Sequence, residues 1–155
     1  MAEIIRILSL LPAAGRAHDG RVDAHTDPRA DRLVVVVTVD RLQLLDLAGP
    51  VEVFRTANLL GASPRYRNLV VSPEGTPVRS DSGVTVTPDA SIADVLAGCD
   101  PIDLLVVVGG IGVDDALGDD ALRRALRDLS ARARRTTSVC TGSLLLADAG
   151  LLDGR

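Results

Sequence analysis

Hydrophobic positions gather into four short runs. Leu33–Val39 (LVVVVTV) and Asp103–Gly110 (DLLVVVGG) are continuous β-branched and aliphatic stretches, as expected of strands buried on both faces of a parallel sheet. Tyr66–Ser72 (YRNLVVS) and Thr136–Cys140 (TTSVC) read as two further strands. Between the runs the period changes to that of a helix. The segment from Leu47 to Gly61 has Pro50 suited to a first turn, Val51, Phe54 and Asn58 at helical spacing, and Gly61 as a stop. Ser91–Gly98 predicts a short helix with Ser91 as N-cap and Asp94 closing a capping box. Between Asp119 and Arg135, residues Leu122, Ala125, Leu126, Leu129 and Ala133 mark one buried helical face. Thr141–Gly150 predicts the last helix, and the alternating runs 77–79 and 84–87 predict a small hairpin. Strands alternating with helices predict an α/β fold, a doubly wound parallel sheet with helices on both faces.

At 155 residues the chain holds one domain. Residues 1–32 read as a flexible tail, polar and aperiodic over its second half, and residues 33–155 as the domain. The apolar stretch Ile4–Gly15 follows Glu3 and is broken by Arg6, unlike a signal peptide. No apolar run reaches the ~20 residues that span a bilayer, so no membrane partner is expected. All 17 basic residues are arginine and the formal net charge is −4. A basic patch for nucleic acid is missing, so this chain alone is not expected to bind DNA. Arg132–Arg135 read as the solvated end of a helix. Asp114–Asp115 and Asp119–Asp120 read as helix-start charges, and neither a metal nor a cofactor is expected. Cys99 and Cys140 form no C-x-x-C pair, which fits a reducing, cytoplasmic setting.

In doubly wound sheets ligands bind outside the carboxyl ends of the strands. Three features fall there: Asp46 after the first strand, Gly109–Gly110 after the third, and Cys140 after the fourth. Ser-Val-Cys-Thr-Gly around Cys140 compares with the nucleophile elbow, a strand-to-helix turn that needs small residues on either side of the nucleophile. Such a turn sets sulfur at a helix start, where thiolate is favoured, with the Thr141 N–H aimed at the same spot. The alternative is packing, because free cysteine is a small hydrophobe. Gly109–Gly110 would add an N–H to the same anion hole, or simply close a strand. Asp46 is either an N-cap or the acid or base facing Cys140. Both histidines, His18 and His25, lie in the tail, so the domain offers no Cys-His dyad.

Together, "LQLLDLAGPVEVF", "VVVGGIGV" and "SVCTGSLLLADAGLLDGR" resemble the ThiJ/PfpI superfamily, the class I glutamine amidotransferase-like fold. Within it they are similar to the branch of isonitrile hydratase and of AraC-family regulators with an amidase-like N-terminal domain. The resemblance covers roughly Leu33 to Arg155. It implies a flavodoxin-like sandwich, a homodimer, and the superfamily's cysteine at Cys140. On the hydratase side it implies a catalytic Asp46 with Thr141 beside the cysteine, adding water to an isonitrile to give an N-substituted formamide. On the regulator side it implies a small effector in the same pocket and a DNA-binding helix-turn-helix further along the chain. Three departures stand out: Val108 replaces a common Pro, the helix-turn-helix is absent, and the chain stops at "LLDGR" where relatives run on. The first expectation is therefore the small-molecule-sensing part of an AraC-type regulator lacking its helix-turn-helix. An isonitrile hydratase-like lyase using Cys140 and Asp46 is the alternative, and a non-catalytic or oxidant-sensing remnant is the third.

Overall fold

A computed structural model describes residues 31–98 and 100–154. The N-terminal tail up to residue 30, with both histidines, and Cys99 lie outside the described residues.

The elements follow the hydrophobic runs. They are β1 (Arg32–Val37), α1 (Leu44–Leu59), β2 (Tyr66–Ser72), β3 (Val78–Arg79), β4 (Thr85–Val86), β5 (Ala90–Ser91), α2 (Ile92–Ala97), β6 (Ile102–Val107), α3 (Val113–Ala116), α4 (Asp120–Arg132), β7 (Ala133–Ser138) and α5 (Gly142–Asp148). Five strands form one sheet in the order β5-β2-β1-β6-β7, and every neighbouring pair is parallel. The continuous valine run is explained by position. β1 lies in the middle, and Val34 to Val37 have no exposed surface. Alternate side chains feed two cores. Val35 and Val37 meet Leu126, Leu129, Leu145 and Leu146 of α4 and α5. Val34 and Val36 meet Leu47 and Phe54 of α1. Helices thus cover both faces, as the doubly wound pattern predicts.

Arginines fasten the α4 side. Arg123 forks onto Asp148 of α5 at 2.7 and 2.8 Å, and this pairing holds the Asp148 carboxyl down at about 2. Arg127 Nε donates to the Ala149 carbonyl at 2.7 Å, closing the end of α5. Ser91 and Asp94 form the predicted capping box. Asp119 caps α4 by accepting from the N–H groups of Ala121 and Leu122, and Asp114 and Asp115 lie in the first turn of α3.

Three boundaries differ from the sequence expectation. α1 starts at Leu44, so Pro50 sits inside the helix and is buried, not in its first turn. A proline there gives up one bond to the carbonyl four residues back; the burial of Leu47, Pro50 and Phe54 on the sheet outweighs it. α4 ends at Arg132, and Arg134 and Arg135 belong to β7 rather than to a solvated helix end. Pairing along β6, with Arg134 bound to Asp103 at 2.6 Å, competes successfully with continued helix. The two-residue β5 and the single-turn α3 are too short to give a hydrophobic period, and the sequence did not predict them.

Candidate functional site

Because the strands are parallel, the loops after β1, β6 and β7 emerge at one end of the sheet, where Asp46, Gly109–Gly110 and Cys140 were expected. The loop after β6 is the hub. Leu42 bridges both to Gly110 and to Ser80 in the turn of the β3–β4 hairpin. Gln43 N–H donates to the Gly109 carbonyl at 2.9 Å. The glycines are required by close approach. A Cβ on Gly109 would stand 2.6 Å from the Thr141 nitrogen and 2.9 Å from that of Gly142. A Cβ on Gly110, whose φ is +149°, would stand 2.5 Å from the Arg41 carbonyl and 2.6 Å from the Gln43 nitrogen. Gly142 is pressed equally hard against the Val107 carbonyl.

β7 ends at Ser138, and Cys140 turns the chain into α5 with φ of +54°. A β-carbon in that left-handed region is disfavoured, so packing holds the turn. Val139 N–H bonds the Val107 carbonyl at 2.9 Å, and Gly142 N–H bonds the Val139 carbonyl at 3.1 Å. The result displays the side chain: Cys140 is exposed. Its N–H and that of Thr141 have no hydrogen-bond partner among the described residues. The Thr141 hydroxyl is committed to Gly110, accepting from its N–H at 3.0 Å and donating to its carbonyl at 3.1 Å. The Gly110 N–H that the sequence offered to an anion hole is therefore held by Thr141.

Asp46 reaches the same place from α1. It is not the N-cap: Gln43 holds that position without a side-chain bond, and Asp46 is the third residue of the helix. Its Oδ2 is buried and has no hydrogen-bond partner. Burial pushes the carboxyl above its ordinary value, and the neighbouring Cys140 thiol pulls it part of the way back. The two groups are neighbours without a hydrogen bond of good geometry, which is consistent with the unpartnered Oδ2. An orphaned buried carboxyl oxygen is costly, and here it lies beside an exposed thiol.

The group brought together is thus Cys140, Asp46 and Thr141, with Gly109 and Gly110 beneath. Sequence reasoning missed Arg41, the second non-glycine residue at positive φ, whose turn sets the start of α1; the polar break "DRL" after the valine run was its signal. Two surface clefts lie elsewhere, one of about 250 Å³ between Arg67, Val95 and Asp100, the other beside Arg132. Their polar groups are occupied by the exposed Arg67–Asp100 pair and by helix-end contacts, so the chemistry favours the Cys140 group. Among the described residues no cluster of His, Cys, Asp or Glu is arranged to hold a metal ion, and no helix is long and apolar enough to cross a membrane.

A strand, a left-handed cysteine and a helix thus close over the paired glycines. The DJ-1/PfpI family model matches residues 32–155. The chain belongs to the DJ-1/PfpI family. It is 45% identical over 122 residues to an uncharacterized protein in the cpoL 5' region of Streptomyces lividans, spanning 79% of this chain and 82% of that one. It is 36% identical to isonitrile hydratase of Pseudomonas putida, over 74% of this chain and 46% of the hydratase. It is also 36% identical to the HTH-type transcriptional regulator GbdR of Pseudomonas aeruginosa, over 75% of this chain and 30% of the regulator. It therefore spans less than half the length of either of those two relatives. A crystal structure of a ThiJ/PfpI family protein from Pseudomonas syringae superposes with a TM-score of 0.65 at 28% identity, covering 91% of this chain and 55% of that one. The DJ-1/PfpI domain has the flavodoxin-like α/β fold, with relatives that include both regulators and a hydratase.

Proposed function

We propose that this chain is the small-molecule-sensing part of an AraC-type transcriptional regulator, with Cys140, Asp46 and Thr141 contacting the effector over the Gly109–Gly110 turn. The observation that carries this reading is the buried, unpartnered Asp46 Oδ2 beside an exposed thiol. A polar oxygen is left without a partner where a ligand can supply one. The similarity to GbdR supports the regulatory setting, in which DNA contact would belong to a helix-turn-helix outside the DJ-1/PfpI domain. A cytoplasmic location goes with this role. The test is to sequence the gene beyond the Arg155 codon. An in-frame helix-turn-helix is the expected result. A domain completed without one, or a stop directly after Arg155, overturns the regulator.

A second reading, isonitrile hydratase-like catalysis, is favoured by one feature: a carboxyl raised by burial next to the thiol. Sulfur would bond to the terminal isonitrile carbon while Asp46 delivers a proton to it. Water would then add across the resulting carbon–nitrogen double bond, hydroxyl to carbon and one proton to nitrogen; as the carbon–sulfur bond breaks and thiolate leaves, the hydroxyl proton passes to Asp46, releasing an N-substituted formamide with the site restored. Incubation with cyclohexyl isonitrile checks this. Formamide should appear with the native chain and vanish in both Cys140→Ala and Asp46→Ala; turnover that survives both substitutions excludes the assignment.

A further inference from the structure

Helix α1 carries an internal glycine that neither conformation nor packing requires. Gly49 does not take a positive φ, and a β-carbon there would meet nothing within 4 Å. Inside a helix glycine is destabilising relative to alanine, because it loses more chain entropy on folding. Gly109, Gly110 and Gly142 differ, since each has backbone where a side chain would go.

Where that open space lies follows from helical spacing. At about 100° per residue, Asp46, Gly49 and Val53 share one flank of α1. The opposite flank is held by β2: Asn68 Nδ2 donates to the Val51 carbonyl at 3.0 Å, and the Asn58 side chain brackets the Tyr66 backbone at 2.7 and 2.8 Å. On the Asp46 flank, Val53 is half-buried yet belongs to neither core. Gly49 thus stands one turn along from the buried, unpartnered Asp46 Oδ2. Large apolar side chains left exposed are next to the same group in the chain. Leu45, 76% exposed, precedes Asp46; Ile111, 48% exposed, follows Gly110; Leu144, 45% exposed, is one turn past Thr141. A few polar groups in apolar surroundings are the composition of a small-molecule site, and exposed apolar surface marks where a ligand covers it.

We propose that Gly49 is a specificity-determining residue. It keeps open a lane along the Asp46 flank of α1 that takes an apolar substituent of the bound molecule, while the polar end of that molecule donates to Asp46 Oδ2 beside Cys140. The ligand class is an apolar small molecule with one hydrogen-bonding head group, rather than a sugar or a polyanion. This rests on the reading of Cys140, Asp46 and Thr141 as the effector site, and adds which part of α1 selects among effectors.

Two maleimides with the same reactive group and different bulk test it, N-methylmaleimide and N-cyclohexylmaleimide. Their rates on the full chain are read at Cys140, by mass spectrometry of the tryptic peptide Thr136–Arg155. The ratio of the two rates cancels any change in the reactivity of the thiol itself. Gly49→Leu should lower the cyclohexyl-to-methyl ratio about tenfold, with unchanged circular dichroism. Thr56→Leu adds bulk at an exposed position two turns along and should leave the ratio at its native value. Gly49→Ala should raise the melting temperature. A native ratio in Gly49→Leu overturns the lane, and so does an equal fall in Thr56→Leu, which would make the effect non-local. A melting temperature that falls in Gly49→Ala also overturns it, because packing would then require the glycine. A gene without a helix-turn-helix removes the regulator and leaves the measured ratio untouched; an unmoved ratio removes the lane and leaves the regulator standing.

Discussion

Among the described residues, two other than glycine hold the left-handed backbone, Arg41 and Cys140, each with φ of +54°. They stand on either side of the same glycine hub, yet their turns are used differently. Arg41 is tied at every group. Its N–H bonds the Arg79 carbonyl at 2.7 Å, its carbonyl accepts from Gly112 at 3.3 Å, and its guanidinium pairs with Asp115 at 2.8 Å. Cys140 is tied only through its carbonyl, which accepts from Ser143; its N–H has no partner among the described residues, and its thiol faces outward beside Asp46. A strained φ alone therefore does not mark a site. The mark is a strained residue whose side chain is left free next to a buried polar atom that lacks a partner.

The largest expected effect comes from removing what both turns share. Gly110→Ala forces a methyl into the Arg41 carbonyl and the Gln43 nitrogen and should cost roughly 3 kcal/mol, the upper range for overpacking. Urea unfolding measures it. A loss below about 1 kcal/mol would mean that the hub yields and that the two turns are not held by it.

Relieving the strain separates the turns. Cys140→Gly should stabilise the fold by about 1 kcal/mol, because it removes a β-carbon from the left-handed region and breaks no side-chain bond. Arg41→Gly gains the same relief but gives up the exposed Asp115 pair, so its net gain should be smaller, about 0.5 kcal/mol. Thermal unfolding of both variants checks the ranking. Equal stabilisation would show that the Arg41 ties carry no energy.

Acid response sharpens the contrast between Asp46 and a plain structural carboxylate. Asp46 is raised by burial, so its favourable term is present below the ordinary carboxylate range and is lost as pH rises through its folded value. Asp148 is lowered to about 2 by Arg123, so its term is present above the ordinary range and is lost as pH falls toward 2. Against the native chain, Asp46→Asn should therefore become relatively more stable as pH climbs from 3 to 7. Asp148→Asn should become relatively less stable over the same climb. Unfolding free energies across that range decide it, and parallel curves for the two variants would remove the special status of Asp46.

Much of this was legible from period alone. The valine run of β1 and the leucine face of α4 gave a parallel sheet covered on both sides, because burial on two faces and on one face leaves different patterns. The boundaries at Leu44 and Ala133 were not legible. Each depends on a tertiary contact that outweighs local preference: the sheet under Pro50 and the Arg134–Asp103 pair. At the site, the residue types at Cys140 and at Gly109–Gly110 announced a tight turn. That Asp46 lies inside its helix, with an unpartnered buried oxygen and the Cys140 thiol as a neighbour, follows only from where α1 begins. The capture of the Gly110 N–H by Thr141 follows from a side-chain rotamer that sequence does not encode visibly.

The smallest effect concerns the outermost tie of the Arg41 turn. The Arg41–Asp115 pair is well exposed, with 49% and 70% of the two side chains accessible, so solvent screens it and its worth is about 0.5 kcal/mol or less. Asp115→Ala should lower stability by no more than that, and the difference should fade in 1 M salt, where screening acts over about 3 Å. The backbone ties of Arg41 would then be what holds the left-handed turn. If Asp115→Ala instead costs as much as Gly110→Ala, the guanidinium is the anchor. The Arg41 turn would then depend on a surface charge, and the Cys140 turn, which has no such anchor, would owe its shape to the Gly109 and Gly142 contacts alone.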